Sequence, residues 1–225
     1  MANINGVRLA KSWIPASTLH SLREEPKFAP LQVSGLKRVF KNGLSRGEIL
    51  EINGSRTSGR TSVCLHILAQ ATRRGEVCAV VDLYDSFHPA SAAATGVRLE
   101  RMLWVRCHGN AEHAMRAADL LLHAGGFGVV LLDICEASPR VLNHIPLSYW
   151  YRFQRAIENT PTILVVCAEI SQVRSGSSNK LQLRRNVVDW RGKAPFLVLH
   201  GIEAKSILHK TSTVSPEPLS IQTVA

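Results

Sequence analysis

The residues with the clearest chemical potential lie in a short stretch bounded by glycines. Gly54 and Gly59 enclose four residues, and Arg60, Thr61 and Ser62 follow directly. In such a loop successive backbone N–H groups can surround a phosphate, and the positive end of a following helix strengthens the attraction. The glycines let the backbone turn and approach the phosphate, and a hydroxyl behind the loop can bind Mg²⁺. The spacing therefore predicts a phosphate and Mg²⁺ site at these five residues.

Arg60 departs from the lysine that a working loop of this kind carries before its hydroxyl residue. Lysine is a compact point charge that reaches between terminal phosphates, whereas arginine is a longer planar fork that fills a different space. We therefore predict a vestigial nucleotide site without catalytic residues. The alternative is an active nucleotide hydrolase that uses Arg60 and Thr61.

Strands and helices must alternate around this loop. Apolar runs predict strands at residues 49–52, 77–81, 101–106, 127–132 and 162–168, with the side chains of residues 102–105 inside. Amphipathic or capped segments predict helices at residues 36–40, 60–73, 89–96, 147–158 and between Asn110 and Gly125. This alternation indicates an α/β fold with a mainly parallel sheet and helices on both faces.

Polar side chains end several of these strands. They are Asn53, Asp82, Asp133 and Glu169. In a parallel sheet such residues meet at the carboxyl edge, which is where ligands bind. Because Asp133 closes a wholly apolar strand, it is the candidate for holding Mg²⁺.

The C-terminal part predicts an antiparallel β-hairpin at the sheet edge. Residues 180–190 and 194–200 have extended patterns, residues 191–193 join them tightly, and residues 204–209 predict a further strand. We expect three regions in the chain. They are an N-terminal arm over residues 1–34 with a short helix at 15–24, a core domain with the hairpin over residues 35–209, and a disordered tail rich in Ser, Thr and Pro over residues 210–225.

The net charge and composition of the chain limit the classes of partner and the compartment that we expect. The chain has 225 residues and a formal net charge of +10, which favours an acidic partner, nucleic acid first. Five scattered cysteines without paired spacing predict a reducing, cytoplasmic compartment. The nine histidines show no spacing typical of metal ligands, and no apolar run approaches the roughly 20 residues that cross a membrane. We expect neither a bound metal nor membrane contact.

Basic residues are concentrated in the predicted hairpin, where residues 180–193 carry five cations and one Asp. A surface that follows the phosphates of single-stranded DNA would use four of them. These hairpin cations are Arg184, Arg185, Arg191 and Lys193. Arg152 and Arg155, on the predicted helix at 147–158, could extend the surface. The alternative is an edge strand that its charges protect against aggregation.

Two motifs resemble the RecA recombinase family, over about residues 35–170. The first runs from Gly47 to Ser62 and reads Gly-Glu-Ile-Leu-Glu-Ile-Asn-Gly-Ser-Arg-Thr-Ser-Gly-Arg-Thr-Ser, where the family has Gly-Arg-Ile-Val-Glu-Ile-Tyr-Gly-Pro-Glu-Ser-Ser-Gly-Lys-Thr-Thr. The second runs from Asp82 to Pro89 and reads Asp-Leu-Tyr-Asp-Ser-Phe-His-Pro, where the family has Asp-Ala-Glu-His-Ala-Leu-Asp-Pro. Since the separation of the motifs also agrees, the resemblance implies a RecA-like core.

This chain differs from the family at the positions of the family's catalytic and phosphate-contacting residues. The family's catalytic glutamate, which activates water, matches Tyr84, and a phenol with a pKa of about 10 is a poor base at neutral pH. Glu169 stands where the family has a phosphate-sensing glutamine, and a carboxylate there repels a γ-phosphate. Together with Arg60, these departures imply that hydrolysis is lost and that no cofactor is needed, with ATP and Mg²⁺ as the alternative.

A RecA-like core with a degraded nucleotide site and a basic C-terminal hairpin resembles the ImuA family and the related SulA-like proteins. This resemblance implies a non-catalytic accessory role in SOS-induced, error-prone translesion DNA synthesis. The implied partners are the RecA recombinase, an ImuB-type relative of Y-family polymerases, an error-prone replicative-type polymerase and single-stranded DNA. Two alternatives stay open: a divergent DNA-dependent ATPase with Asp85 or Glu169 as base, and a SulA-type inhibitor of cell division.

Overall fold

The computed structural model describes residues 27–32, 34–173, 179–191, 198–210 and 213–222. The predicted helix at 15–24, most of the predicted N-terminal arm and Lys193 lie outside these residues. Across the described ranges, no helix combines the length and the apolar character that crossing a bilayer requires.

The described strands form a small antiparallel pair and one sheet of eight strands. The pair is β1 (Phe28–Ala29) with β2 (Leu44–Ser45), and the large sheet contains β3 (Ile49–Gly54), β4 (Val77–Asp82), β5 (Met102–Arg106), β6 (Phe127–Asp133), β7 (Ile163–Ala168), β8 (Asn179–Arg191), β9 (Val198–Lys210) and β10 (Thr213–Gln222). Its strand order is β10-β9-β8-β3-β7-β6-β4-β5, and the strands from β8 to β5 run parallel. The predicted α/β fold is therefore confirmed, and β8 and β9 form an antiparallel hairpin.

Helices cover both faces of the large sheet. They are α1 (Ser34–Val39), α2 (Arg60–Arg73), α3 (Pro89–Thr95), α4 (Ala111–Ala124), α5 (Pro139–Asn143) and α6 (Ser148–Ile157), with a short 3-10 helix at Leu99–Arg101. One apolar core packs α1, α2 and α3 on one face, and a second packs α4, α5 and α6 on the other. Ile49 contributes to the second core, whereas Leu50 and Ile52 contribute to the first. Burial on both faces explains why the central strands are apolar almost throughout.

Local signals in the sequence fix the ends of the helices. The side chain of Asn110 accepts a hydrogen bond from the backbone N–H of His113 at 3.1 Å, which caps α4. Pro89 begins α3, where it costs no hydrogen bond, and Gly96 ends that helix in the left-handed conformation. The prediction of a helix over residues 60–73 is confirmed by α2.

Two parts of the α/β core differ from the predictions. Leu103 of β5 is 43% exposed rather than inside, because β5 is the last strand at its end of the sheet and is incompletely covered. The helix α5 was not predicted, although Ser138 caps it through the backbone N–H of Val141 at 3.4 Å and Pro139 begins it. A helix this short has too few turns for its apolar spacing to show in the sequence.

The C-terminal strands are longer than predicted. The described part of the run at 194–200 and the run at 204–209 belong to the single strand β9 (Val198–Lys210), and residues 192–197 lie outside the described residues. The strand β10 lies where a disordered tail was predicted, and it pairs antiparallel with β9 over its whole length. Backbone hydrogen bonds to β9 stabilise this segment although its composition is polar, so the sheet continues past the predicted boundary at residue 209.

Candidate phosphate-binding site

The glycine-bounded loop joins the end of β3 to the start of α2 at the carboxyl edge of the sheet. Gly59 has a φ of 89°, in the left-handed region that glycine adopts without strain. At Gly54, an added Cβ would lie 2.5 Å from the carbonyl oxygen of Leu183 and 2.6 Å from the hydroxyl oxygen of Ser58. Both glycines are therefore required by the shape of the loop, independently of any ligand.

Arg60 folds back onto its own loop. Its guanidinium donates a hydrogen bond to the carbonyl oxygen of Gly54, and the residue is only 5% exposed. The bond joins the first residue of α2 to the last residue of β3, so the side chain closes the loop from one end to the other. A cation held in this way is directed at backbone rather than at solvent, where a phosphate would arrive.

The hydroxyl residues of the motif differ in their environments. Thr61 is exposed and Ser62 is half-buried, both in the first turn of α2. Ser58, in contrast, is fully buried, and its hydroxyl has no hydrogen-bond partner among the described residues. Because Ser58 packs where a Cβ on Gly54 would lie, its side chain fills the base of the loop.

Asp133 lies beside the loop at the end of β6. Its carboxylate accepts a hydrogen bond from the backbone N–H of Cys135 at 3.0 Å and one from the hydroxyl of Ser86 at 3.4 Å. Burial raises the pKa of Asp133, while the Cys135 N–H and the charge of Arg60 act in the opposite direction. The structure thus brings Arg60 and Asp133, two of the predicted site residues, into one electrostatic environment.

Asp82 supports the neighbouring loop rather than a ligand. It is fully buried, and one carboxylate oxygen accepts from the backbone N–H of Phe87 at 2.8 Å and from the indole N–H of Trp104 at 3.1 Å. The other oxygen accepts from the backbone N–H of Ser86 at 3.0 Å and from its hydroxyl at 3.3 Å. With both oxygens occupied, Asp82 fixes the turn that follows β4.

The structure places the three candidates for a catalytic base in different environments. Tyr84, at the position of the expected glutamate, is 39% exposed. Asp85 has a positive φ of 60° and turns its carboxylate to Arg106 at 3.1 Å and to His108 at 2.6 Å. The Arg106 guanidinium, assisted by His108, holds the pKa of Asp85 below its usual range, which weakens it as a base. Glu169 is exposed just beyond β7.

One hairpin cation contacts the edge of the loop. Arg184 and Arg185 are exposed on β8, and the guanidinium of Arg185 donates a hydrogen bond to the hydroxyl oxygen of Thr57 at 3.1 Å. Arg191 is the last residue of β8. Strand β8 and the phosphate loop are therefore neighbours at one edge of the sheet.

Arg152 and Arg155 lie on α6. This helix packs in the second apolar core, on the face of the sheet opposite to α2. The guanidinium of Arg152 forms an ion pair with Asp119 on α4 and stacks over Tyr149, with 5.7 Å from its central carbon to the ring centroid. Arg155 is exposed. Trp150 on the same helix is buried and packs edge-on against Phe153. Arg152 therefore serves a contact between two helices, and no described contact links it to the hairpin cations.

Two features of this edge were missed from the sequence, a buried glutamate and a group of thiols near Asp133. Glu51, in the middle of β3, is fully buried and accepts hydrogen bonds from the Ser171 hydroxyl at 2.8 Å and the Val173 backbone N–H at 3.1 Å. It also faces the ammonium of Lys180 at 3.6 Å, and so ties the segment after β7 to β8. A glutamate among apolar residues in a strand buried on both faces was the available signal.

Taken together, the parallel sheet, the glycine-bounded loop and the helix behind it define an α/β domain of the phosphate-binding-loop class. The family described as RecA N-terminal domain matches residues 37–141. Residues 37–141 are thus similar in sequence to the RecA N-terminal domain.

Curated relatives agree with this assignment over part of the chain. Protein RecA of Laribacter hongkongensis (strain HLHK9) is 35% identical over 95 residues, which cover 42% of this chain and 27% of that protein. Protein RecA of Rhodospirillum rubrum is 40% identical over 95 residues, which cover 42% of this chain and 26% of that protein. The chain therefore spans about a quarter of the length of these relatives.

Proposed function

We propose that this protein is a non-catalytic RecA-like accessory protein of SOS-induced translesion DNA synthesis. In this role it holds a recombinase, polymerase subunits and single-stranded DNA together without hydrolysing a nucleotide. The observation that carries the proposal is the buried guanidinium of Arg60, bonded to the carbonyl oxygen of Gly54 in its own loop.

This bond bears on the chemistry in two ways. First, a buried hydrogen bond holds the guanidinium on the loop backbone, so moving the side chain outward to meet a phosphate would cost that bond. Second, the planar guanidinium does not fill the space of a lysine ammonium. The engaged carboxylate of Asp85 and the exposed phenol of Tyr84 supply no efficient base to compensate.

The proposed partners follow from resemblance and charge. The ImuA-like profile points to the RecA recombinase, an ImuB-type relative of Y-family polymerases and an error-prone replicative-type polymerase. The net charge of +10 and the exposed Arg184 and Arg185 favour single-stranded DNA as a further partner. A SulA-type division inhibitor would share the core but would bind a filament-forming GTPase instead.

A divergent ATPase is the second candidate, and one observation favours it. Asp133 lies beside the loop and within the electrostatic reach of Arg60, and Thr61 is exposed at the start of α2. These are the positions at which a bound nucleotide and Mg²⁺ would need a carboxylate and a hydroxyl.

The test compares ATP turnover by the full chain with turnover by Arg60→Ala and Arg60→Lys, each with and without single-stranded DNA. We expect the wild type and Arg60→Ala to be equally inactive. DNA-stimulated turnover that Arg60→Ala abolishes would establish the ATPase instead. Capture of partners on the tagged chain from DNA-damaged cells then separates the roles: polymerase subunits support the accessory role, and a filament-forming GTPase supports the division inhibitor.

A further inference from the structure

Three buried thiols converge beneath the phosphate loop. Cys64 lies in the second turn of α2, Cys135 follows β6 by two residues, and Cys167 lies near the end of β7. All three side chains belong to the same apolar core, although they come from distant parts of the chain. Asp133 lies at the same place, between this core and the carboxyl edge of the sheet.

The distances within this group are short. The sulfur atoms of Cys135 and Cys167 are 3.0 Å apart, and one carboxylate oxygen of Asp133 lies with both sulfurs inside a span of 4.8 Å. The backbone holds this arrangement in place, because Asp133 and Cys167 are register partners and the N–H of Ile134 donates to the carbonyl oxygen of Cys167 at 3.0 Å.

We propose that Cys135, Cys167 and Asp133 bind one Zn²⁺ ion, with a water molecule as the fourth ligand. Two sulfur donors, one carboxylate oxygen and one open position make a coordination set of the kind zinc accepts. Zn–S bonds of about 2.3 Å and a Zn–O bond of about 2.1 Å in a tetrahedron place the donor atoms about 3.6–3.8 Å apart. The sulfurs of Cys135 and Cys167 would have to separate by under about 1 Å to reach this spacing.

The surrounding charges and chemistry agree with a soft divalent cation. Two thiolates and one carboxylate around Zn²⁺ leave one negative charge, and the guanidinium of Arg60 acts on both Asp133 and Cys135 to offset it. Mg²⁺ is excluded as the occupant because it requires an octahedral oxygen shell. Asp133 is half-buried rather than sealed, which gives an ion a route from the carboxyl edge.

This site goes beyond the accessory role and does not depend on the identity of any partner. The zinc site also affects the phosphate site. An Asp133 carboxylate that binds zinc together with thiolates cannot also bind Mg²⁺ beside a triphosphate. Residue spacing alone does not indicate the site, since none of these cysteines has the short paired spacing of known zinc motifs.

The experiment is a Co²⁺ titration of the full chain, reduced and freed of metal, under anaerobic conditions. We expect thiolate-to-cobalt charge-transfer absorption that saturates at one equivalent and disappears when Zn²⁺ is added. The double variant Cys135→Ala and Cys167→Ala should lose this absorption. The matched control Cys78→Ala and Cys107→Ala, which changes two buried cysteines outside the group, should retain it.

Circular dichroism of each variant shows whether it is folded. Equal charge-transfer absorption in the wild type and in a folded Cys135→Ala, Cys167→Ala variant overturns the proposal. The wild-type titration also tests the zinc proposal without any variant. If the reduced, folded wild-type chain shows no charge-transfer absorption, the proposal is wrong.

Discussion

Arg185 on the hairpin strand β8 donates a hydrogen bond to the hydroxyl oxygen of Thr57 in the phosphate loop, at 3.1 Å. Strand β8 also pairs in parallel with β3, the strand that leads into that loop. Strand β8 of the hairpin is therefore a direct neighbour of the loop, so a nucleic acid bound along the hairpin would pass beside the phosphate loop.

The hairpin cations should account for much of the affinity for single-stranded DNA. Changing all four to Ser should lower the affinity, because fewer cations bound to phosphates release fewer counterions from the DNA. The slope of log affinity against log salt should become shallower by about 0.7 for each phosphate that is no longer neutralised. Fluorescence anisotropy with a labelled oligonucleotide at two salt concentrations measures both quantities.

A matched control removes the same charge elsewhere. It changes four exposed arginines outside the hairpin to Ser: Arg73, Arg98, Arg116 and Arg140. This variant should keep the wild-type salt slope more closely than the hairpin variant does. If the two variants behave alike, the hairpin cations act only through net charge, and the hairpin is a solvated edge strand.

Arg60 should stabilise the fold rather than serve a reaction. Arg60→Ala removes a buried hydrogen bond to the carbonyl oxygen of Gly54, so the free energy of unfolding should fall by about 1–3 kcal/mol. Urea unfolding followed by circular dichroism measures the change. The exposed Arg155→Ala is the control and should stay within about 0.5 kcal/mol of wild type. Equal stability of wild type and Arg60→Ala would show that the buried guanidinium contributes nothing to the fold.

Glu51 should anchor the segment after β7. In Glu51→Gln the charge that faces Lys180 is lost, and the NH₂ group that replaces one carboxylate oxygen has to face either the Ser171 hydroxyl or the donating backbone N–H of Val173. We expect the free energy of unfolding to fall by about 2–3 kcal/mol, typical of hydrogen bonds to a buried charge. The exposed Glu158→Gln makes the same chemical change without burial. An effect as small as that of Glu158→Gln would contradict the assigned role.

Asp85 should contribute stability that depends on pH. Its pKa in the folded protein lies below the unfolded value of about 3.9, because the Arg106 guanidinium and His108 favour the charged form. The contribution is therefore complete above about pH 4 to 5, and it is lost as pH falls through the folded pKa. Asp85→Asn should be less stable than wild type at pH 6, and the gap should narrow below about pH 4.

Urea midpoints measured across this pH range test the Asp85 prediction. Glu112→Gln, which breaks an exposed ion pair with Arg116, is the comparison variant. A gap between Asp85→Asn and wild type that stays constant from pH 6 to acid conditions would assign the effect to packing instead of charge.

The order of elements could be predicted because the signals that fix them are local. The strand at Val77–Asp82, the helix at Arg60–Arg73 and the cap at Asn110 each follow from the spacing or type of a few neighbouring residues. The strand β10 could not be predicted in this way, because its stability comes from pairing with β9 rather than from its own polar composition.

The site could be predicted only as a set of residues. The glycines, Arg60 and Asp133 were identified from the sequence, but the direction of the Arg60 side chain depends on the path of the loop around it. The proposed metal site brings together residues 133, 135 and 167 through the pairing of β6 with β7, and no local pattern encodes that meeting. The direction of the Arg60 side chain and the meeting of distant residues therefore depend on the tertiary structure, and the spacing of residues does not predict them.

The most direct test of the central claim is a crystal of this protein soaked with ATP and Mg²⁺. We expect no triphosphate ordered in the loop from Gly54 to Ser62, with Arg60 still bonded to the carbonyl oxygen of Gly54. An ordered triphosphate bound by Arg60, with a water molecule positioned by a nearby carboxylate, would contradict the account and identify the protein as an ATPase.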